Sequence, residues 1–280
     1  CPRGEIGRHK GLKILAACGV PERVWPRAPI NFMLNAILDI GANDGSDGLG
    51  YALFNPNFTI YAFEPNPELI LKINENKNKI EKLFNIKLSN YEVTEKAVSN
   101  FNGTSDFYLS ELDLCSSLLK YKFVKTKKKI TCDVITLEKF CTDKQIDNIA
   151  FLHVDTQGSD LDVLKGLKTY KNIVHEGVVE TMLNKENLIY EGSSTLDEVE
   201  SFFNEISYKI IDKKFNAPHE LNVFFKNEKF KDSDKISVNK FNPRFLKRIT
   251  EDRIKIKDSI YIFFLKKFKK MKKLITRRNI

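Results

Sequence analysis

The sequence predicts an α/β protein built on a mostly parallel sheet, and two observations lead there. From residue 36 onward short apolar runs alternate with longer amphipathic ones, the rhythm of repeated strand–helix units. The glycine-bearing, acidic motifs fall where apolar runs end, and in such sheets ligands bind at the carboxyl ends of the strands, where the strand order reverses.

Each element has its own signal. The apolar run at 37–40 ends in a turn holding Gly41, Asn43 and Gly45, then a helix near 46–54. Further strands are expected at 59–63, 91–98, 104–109, 129–135, 149–155, 172–181, 208–214 and 220–226, with helices near 67–83, 136–142, 159–169 and 195–206. In the helix at 159–169, Leu161, Val163, Leu164 and Leu167 make one apolar stripe, weakened by Gly166 only near its end. No internal repeat interrupts this order.

The chain has 280 residues, 42% of them hydrophobic, enough to bury a full core. Three segments are expected: an atypical, poorly ordered extension at 1–35, the folded domain at 36–227, and a basic, partly helical tail at 228–280. The first segment uses Arg, Pro, Gly and Ala where the body uses Lys, Asn, Ile and Phe. It reads as an upstream extension or a misassigned start, with a variable arm as the alternative. It lacks the continuous apolar stretch of a signal peptide.

The net charge of +9 suggests nucleic acid until it is located. Residues 226–280 carry a net +13, and the remaining residues a net −4. The basic character belongs to the tail, so a nucleic-acid surface across the whole protein is not expected. Five scattered cysteines without a C-x-x-C pair argue for reduced thiols in a cytoplasmic setting, and the four histidines show no metal-ligand spacing. No metal is expected.

Three motifs at strand ends carry chemistry. The first, D-x-G-x-N-x-G, comprises Asp39, Gly41, Asn43 and Gly45. The second closes a strand with Glu64, 25 residues after Asp39 and placed to accept both hydroxyls of a ribose. G-x-G-x-x-G is absent from this loop. Asp39, Asp44 and Asp47 would repel a pyrophosphate. They suit a cationic ligand, and S-adenosylmethionine offers a sulfonium, an ammonium and a ribose diol. The third motif runs through His153, Asp155 and Gln157, with His153 and Asp155 on one face of a strand. Ser159 and Asp160 read as caps of the helix that follows.

The segments "LDIGANDGSDGLGYA", "AFEPNP", "HVDTQGSDLDVLKG", "VVETM" and "ELNVFFKN" resemble, in order and spacing, the FkbM family of S-adenosylmethionine-dependent methyltransferases over roughly 36–226. The resemblance implies a class I methyltransferase fold, a Rossmann-like three-layer sandwich whose seven-stranded sheet ends in an antiparallel strand inserted between its neighbours. It implies O-methylation, often of saccharide hydroxyls. Asp39, Gly41, Asn43 and Gly45 become the loop around the donor's methionine half, and Glu64 the ribose ligand. Asp155 becomes the acid near the transferring methyl, placed either to bind the cofactor through its ammonium or to orient and deprotonate an acceptor hydroxyl. Candidates for the general base are Asp155, His153 and Glu180, with Gln157 toward the substrate. A lone strand histidine is also an ordinary satisfied core residue, and Glu180 is equally open to a structural role.

The acceptor expected is a small molecule or glycan. Two alternatives remain: a fold that binds cofactor or a partner without turnover, and an RNA-directed enzyme anchored by its tail. Against RNA, no aromatic-rich basic strand surface is present for stacking bases. In the tail, Ile260, Phe264, Phe268, Met271 and Ile275 recur at helical spacing with lysines between them, a pattern suited to an anionic membrane surface over 249–278. A helix docked on the core is the alternative.

Overall fold

The computed structural model describes residues 35–111, 115–123, 125–231, 237–239, 241, 243–253, 262 and 266. The expected N-terminal extension up to residue 34 lies outside the described residues, as do the five apolar positions of the predicted tail helix.

In chain order the strands are β1 (Asn35–Ile40), β2 (Thr59–Phe63), β3 (Tyr91–Thr94), β4 (Ala97–Val98), β5 (Gly103–Ser110), β6 (Thr126–Ile135), β7 (Asn148–Val154), β8 (Val174–Met182), β9 (Tyr208–Ala217) and β10 (Glu220–Asn227). The helices are α1 (Ser46–Phe54), α2 (Pro67–Phe84), α3 (Leu137–Lys144), α4 (Asp160–Lys165), α5 (Leu196–Ile206) and α6 (Pro243–Thr250). Seven strands form one sheet in the order β3-β2-β1-β7-β8-β10-β9. Pairing is parallel from β3 through β8, while β10 runs antiparallel between β8 and β9. The order reverses at β1, which has β2 on one side and β7 on the other, so the crevice opens above these three strands.

β1 is apolar on both faces because helices cover both. Ala36, Leu38 and Ile40 join the core beneath α3, α4 and α5. Ile37 points the other way, toward Leu49 and Leu53 of α1, Ile73 and Ile80 of α2, and Leu246 and Ile249 of α6. All ten of these side chains are at most 2% exposed. Burying each of the leucines and isoleucines among them stabilises the fold by about 1.5–3 kcal/mol. Caps set where the helices begin. The Asn66 side chain accepts the Glu68 N–H with Pro67 in the first turn of α2, and Thr195 with Glu198 forms a capping box at α5.

Three expectations are corrected. The single strand at 91–98 is two strands in two sheets: β3 ends at Thr94, a turn closes from the Lys96 N–H to Thr94 O (2.9 Å), and β4 joins a separate sheet in the order β4-β6-β5. The helix expected at 159–169 ends at Lys165, and a 3-10 turn follows over Lys168–Ile173. The helix stops where the chain presses against Ser99: a Cβ on Gly166 would lie 2.3 Å from Ser99 O, and Lys168 then takes φ 45°. The strand expected from 172 therefore starts at Val174.

Candidate active site

A cavity of about 670 Å³ opens at the carboxyl ends of β1, β2 and β7. One wall is the β1–α1 turn, with Asp39, Gly41, Asn43 and Asp47, together with Glu64 from the end of β2. His153, Asp155 and Gln157 form the floor, and the β9–β10 turn and Tyr121 stand opposite.

The turn after β1 is shaped by backbone demands. The N–H groups of Gly41 and Ala42 both donate to Phe63 O (3.0 and 2.9 Å), folding the loop over the end of β2. Gly41 takes φ 84°, and a Cβ there would lie 1.8 Å from Asp155 O, so the close approach of β1 and β7 admits no side chain. Asn43 and Gly45 also have positive φ, and Gly45 is the N-cap residue of α1.

Asp39 and His153 face each other in the β1–β7 register. His153 Nδ1 lies 2.8 Å from Asp39 Oδ1. Burial opposes a charged imidazole, but the hydrogen bond and charge of Asp39, with Asp47 and Asp155, raise the His153 pKa to about 9. Asp39 Oδ2 is buried and unpartnered among the described residues. It fits against the backbone only because residue 48 is glycine, since a Cβ there would lie 2.6 Å away. Burial drives Asp47 up to about 6, His153 opposing and Asp39, Asp155 and Asp44 adding to the rise.

Glu64 is buried, and its two carboxylate oxygens accept backbone N–H groups of Asn43 and Asn66, each at 2.9 Å. Burial outweighs those bonds and, with Asp39, lifts Glu64 to about 7. Across the floor, Gln157 clamps two acids. Its Nε2 donates to Asp155 Oδ1 (2.7 Å) and Glu180 Oε2 (2.8 Å), and its Oε1 accepts from the Tyr190 hydroxyl (2.5 Å). Asn216 Nδ2 holds the other Glu180 oxygen at 2.8 Å. Burial, then Asp155, Asp160 and Glu220, push Glu180 well above the ordinary carboxylate range. The turn between β7 and α4 is fixed by Asp160, which accepts the N–H groups of Thr156 and Gly158 (2.6 and 2.9 Å), and by Ser117, whose hydroxyl donates to Gln157 O (2.8 Å).

Of the residues singled out in the sequence, Asp39, Gly41, Asn43, Glu64, His153, Asp155 and Gln157 line this one cavity. Gly45 packs against Ile73 at the start of α1, and Glu180 lies one layer deeper, 0% exposed and reached through Gln157. Tyr190, Asn216, Ser117 and Lys247 escaped the sequence reading as site residues. The Asn-Ala-Pro-His turn at 216–219 follows a strand in a sheet whose strand ends carry the motifs, which was a usable signal. Tyr190 and Ser117 lie in irregular segments and had none.

A sheet of this order with an antiparallel strand slotted between its last two neighbours, and an acidic cavity at the β1–β7 reversal, define a class I methyltransferase. The chain belongs to the FkbM methyltransferase family, whose model, described as the methyltransferase FkbM domain, matches residues 39–210. It is 28% identical over 174 residues, 57% of this chain and 67% of the relative, to 2-O-methyltransferase NoeI from Sinorhizobium fredii (strain NBRC 101917 / NGR234). Among solved structures it is similar to methyltransferase FkbM from Methylobacillus flagellatus KT at TM-score 0.45 and 18% identity, covering 68% of this chain and 43% of that one. A SAM-dependent methyltransferase from Aquifex aeolicus aligns at TM-score 0.39 and 14% identity, over 77% of this chain and 88% of that one. The chain thus spans less than half of the Methylobacillus structure.

The methyl donor of this family is S-adenosylmethionine, and the residues present fit it. The carboxylates of Asp39, Asp47, Glu64 and Asp155 ring one cavity and answer a sulfonium, an ammonium and a diol. About 670 Å³ accommodates a drug-sized ligand with room beside it.

Proposed function

We propose that this chain transfers a methyl group from S-adenosylmethionine to a hydroxyl of a saccharide or glycan-type acceptor. The observation that carries the reading is one cavity with a buried, backbone-clamped acid at the end of β2 and a second acid at the end of β7 facing a turn with aromatic and polar groups. The similarity to a 2-O-methyltransferase supports the choice of oxygen as acceptor.

When bound, the donor supplies an already activated methyl on a sulfonium, so the chain has mainly to align and to remove a proton. Alignment alone can contribute on the order of 7–11 kcal/mol. Asp39, Gly41, Asn43 and Gly45 shape the wall for the methionine half, and Glu64 accepts the ribose hydroxyls. Asp155 is the catalytic acid–base candidate, because it faces the cavity while Gln157 fixes its carboxylate. Glu180, buried behind Gln157, is a positioning residue. Gln157 meets the acceptor with an amide already committed to Asp155, Glu180 and Tyr190, so its first role is to hold Asp155 still. His153, with a pKa of about 9, is protonated at neutral pH and orients Asp39 rather than serving as base.

Opposite these acids, Tyr121 lies edge-on to Tyr190 (5.0 Å between centroids) and lines the cavity with Ile189, His219 and Glu220. A ring with an apolar face and a polar rim, as a sugar has, matches that wall. A cytoplasmic setting rests on the cysteine usage, and a peripheral membrane contact over 249–278 on the sequence pattern alone. Among the described residues no helix is long and apolar enough to cross a membrane.

The test uses methyl-labelled S-adenosylmethionine with a panel of free and oligomeric saccharides. NMR should find the label on a sugar oxygen, and Asp155→Asn should lower the rate by roughly 10² to 10⁴ while S-adenosylhomocysteine still binds. Label on RNA, or on no saccharide of the panel, would overturn the acceptor assignment.

A further inference from the structure

The cavity has many acids and few cations. Its wall carries Asp39, Asp44, Asp47, Glu64, Asp155 and Glu220 against His153, which is committed to Asp39 at 2.8 Å, and two lysines, Lys96 and Lys247. Lys96 is committed, its Nζ 2.8 Å from Asp133 Oδ2. Among the described residues no carboxylate pairs with Lys247. A methyl donor with sulfonium and ammonium satisfies the acids, but its methionine half also ends in a carboxylate. That carboxylate needs a cation in a cavity otherwise hostile to anions.

Lys247 comes from α6, beyond the 39–210 match to the family. The structure holds α6 firmly beside the β1–α1 turn. Leu246 and Ile249, on either side of Lys247 in sequence, are buried against α1 and α2 at 0% and 2% exposure. The hydroxyls of Thr250 and Ser46 are 3.2 Å apart, and Ser46 opens α1. Lys79 of α2 donates to Thr250 O (3.1 Å) and pairs with Asp252 (2.8 Å). Just before α6, the Asn239 N–H donates to Asn55 Oδ1 (2.6 Å) and Phe241 packs against Tyr51 and Phe54. A Cβ at residue 50 would lie 2.3 Å from the Phe241 ring, so glycine there makes room for the segment. Lys247 is thereby carried on an anchored helix to the wall it shares with Asn43, Asp44, Ser46 and Asp47.

We infer that Lys247 is the cationic ligand for the α-carboxylate of the methyl donor, so that the C-terminal helix completes the cofactor site. This rests on the donor being S-adenosylmethionine. The chemistry is a lysine ammonium meeting a carboxylate at the end of the pocket where the methionine half lies, and it asks nothing of the nucleoside half.

Two ligands separate the halves. S-adenosylhomocysteine carries the amino-acid carboxylate, and 5′-methylthioadenosine lacks it. Calorimetric titration of the full chain should show Lys247→Gln weakening S-adenosylhomocysteine about tenfold, as for loss of one charge-assisted contact. Binding of methylthioadenosine should stay within roughly twofold, and Lys247→Arg should restore most of the loss. Because Lys247 is exposed, the variants should melt with the wild type. Unchanged S-adenosylhomocysteine affinity in Lys247→Gln would overturn the inference and turn Lys247 toward the acceptor or solvent. Equal weakening of both ligands would overturn it as a general disturbance of the wall. A wild-type chain that binds neither ligand would overturn the cofactor reading itself, a result distinct from both.

Discussion

His153 and Asp39 face each other across adjacent strands at 2.8 Å, and this pair makes the site sensitive to pH. The histidine pKa rises on folding from 6.5 to about 9, so the folded state holds the proton more tightly than the unfolded one. Its contribution is therefore complete below about 6.5 and lost as pH rises through about 9. The shift corresponds to about 3 kcal/mol. In urea unfolding, His153→Gln should cost about that much at pH 6 and little at pH 10. An equal cost at both pH values would refute the Asp39–His153 account. The acids behave in the opposite sense to salt-bridged ones: Glu64 at about 7 and Asp47 at about 6 are raised, so their burial withdraws stability as pH climbs from the ordinary carboxylate range toward those values. A cationic ligand relieves that repulsion, which links the crowding of acids to the binding of a sulfonium.

At the scale of elements, α6 is the piece whose importance the sequence concealed. Its one lysine and two arginines merge into the basic run of residues 226–280, and only Leu246 and Ile249 mark a buried stripe. Leu246→Ala should destabilise the full chain by about 2–5 kcal/mol, the range for a fully buried leucine. Chemical denaturation would measure it, and a change under 1 kcal/mol would show α6 to be a loose appendage. The parallel core was legible because β1, β2 and β7 are bounded apolar runs that end in glycine- or acid-bearing turns. The capping residues of α2 and α5 stood in the sequence as Asn-Pro and Thr-x-x-Glu. What could not be read was tertiary: the split at Glu95 and Lys96 that sends β4 into a second sheet, and the end of α4 where Gly166 meets Ser99. Likewise, sequence spacing placed Asp155, Gln157 and Glu180 at strand ends, but only the fold joins them through one amide.

The whole molecule separates its charges. Residues before 226 carry a net −4 and line an acidic cavity, while the C-terminal part carries a net +13 and lends that cavity Lys247. A folded domain of net negative charge attracts a cationic donor. The central claim is that the cavity above β1, β2 and β7 holds S-adenosylmethionine through Glu64, and binding tests it most directly. Titrating S-adenosylhomocysteine into the full chain and into Glu64→Ala should give micromolar affinity for the wild type and at least a tenfold loss for the variant, with both proteins folded by circular dichroism. Equal affinity in the two would remove Glu64 from the site. No binding by a folded wild type would contradict the account at its root.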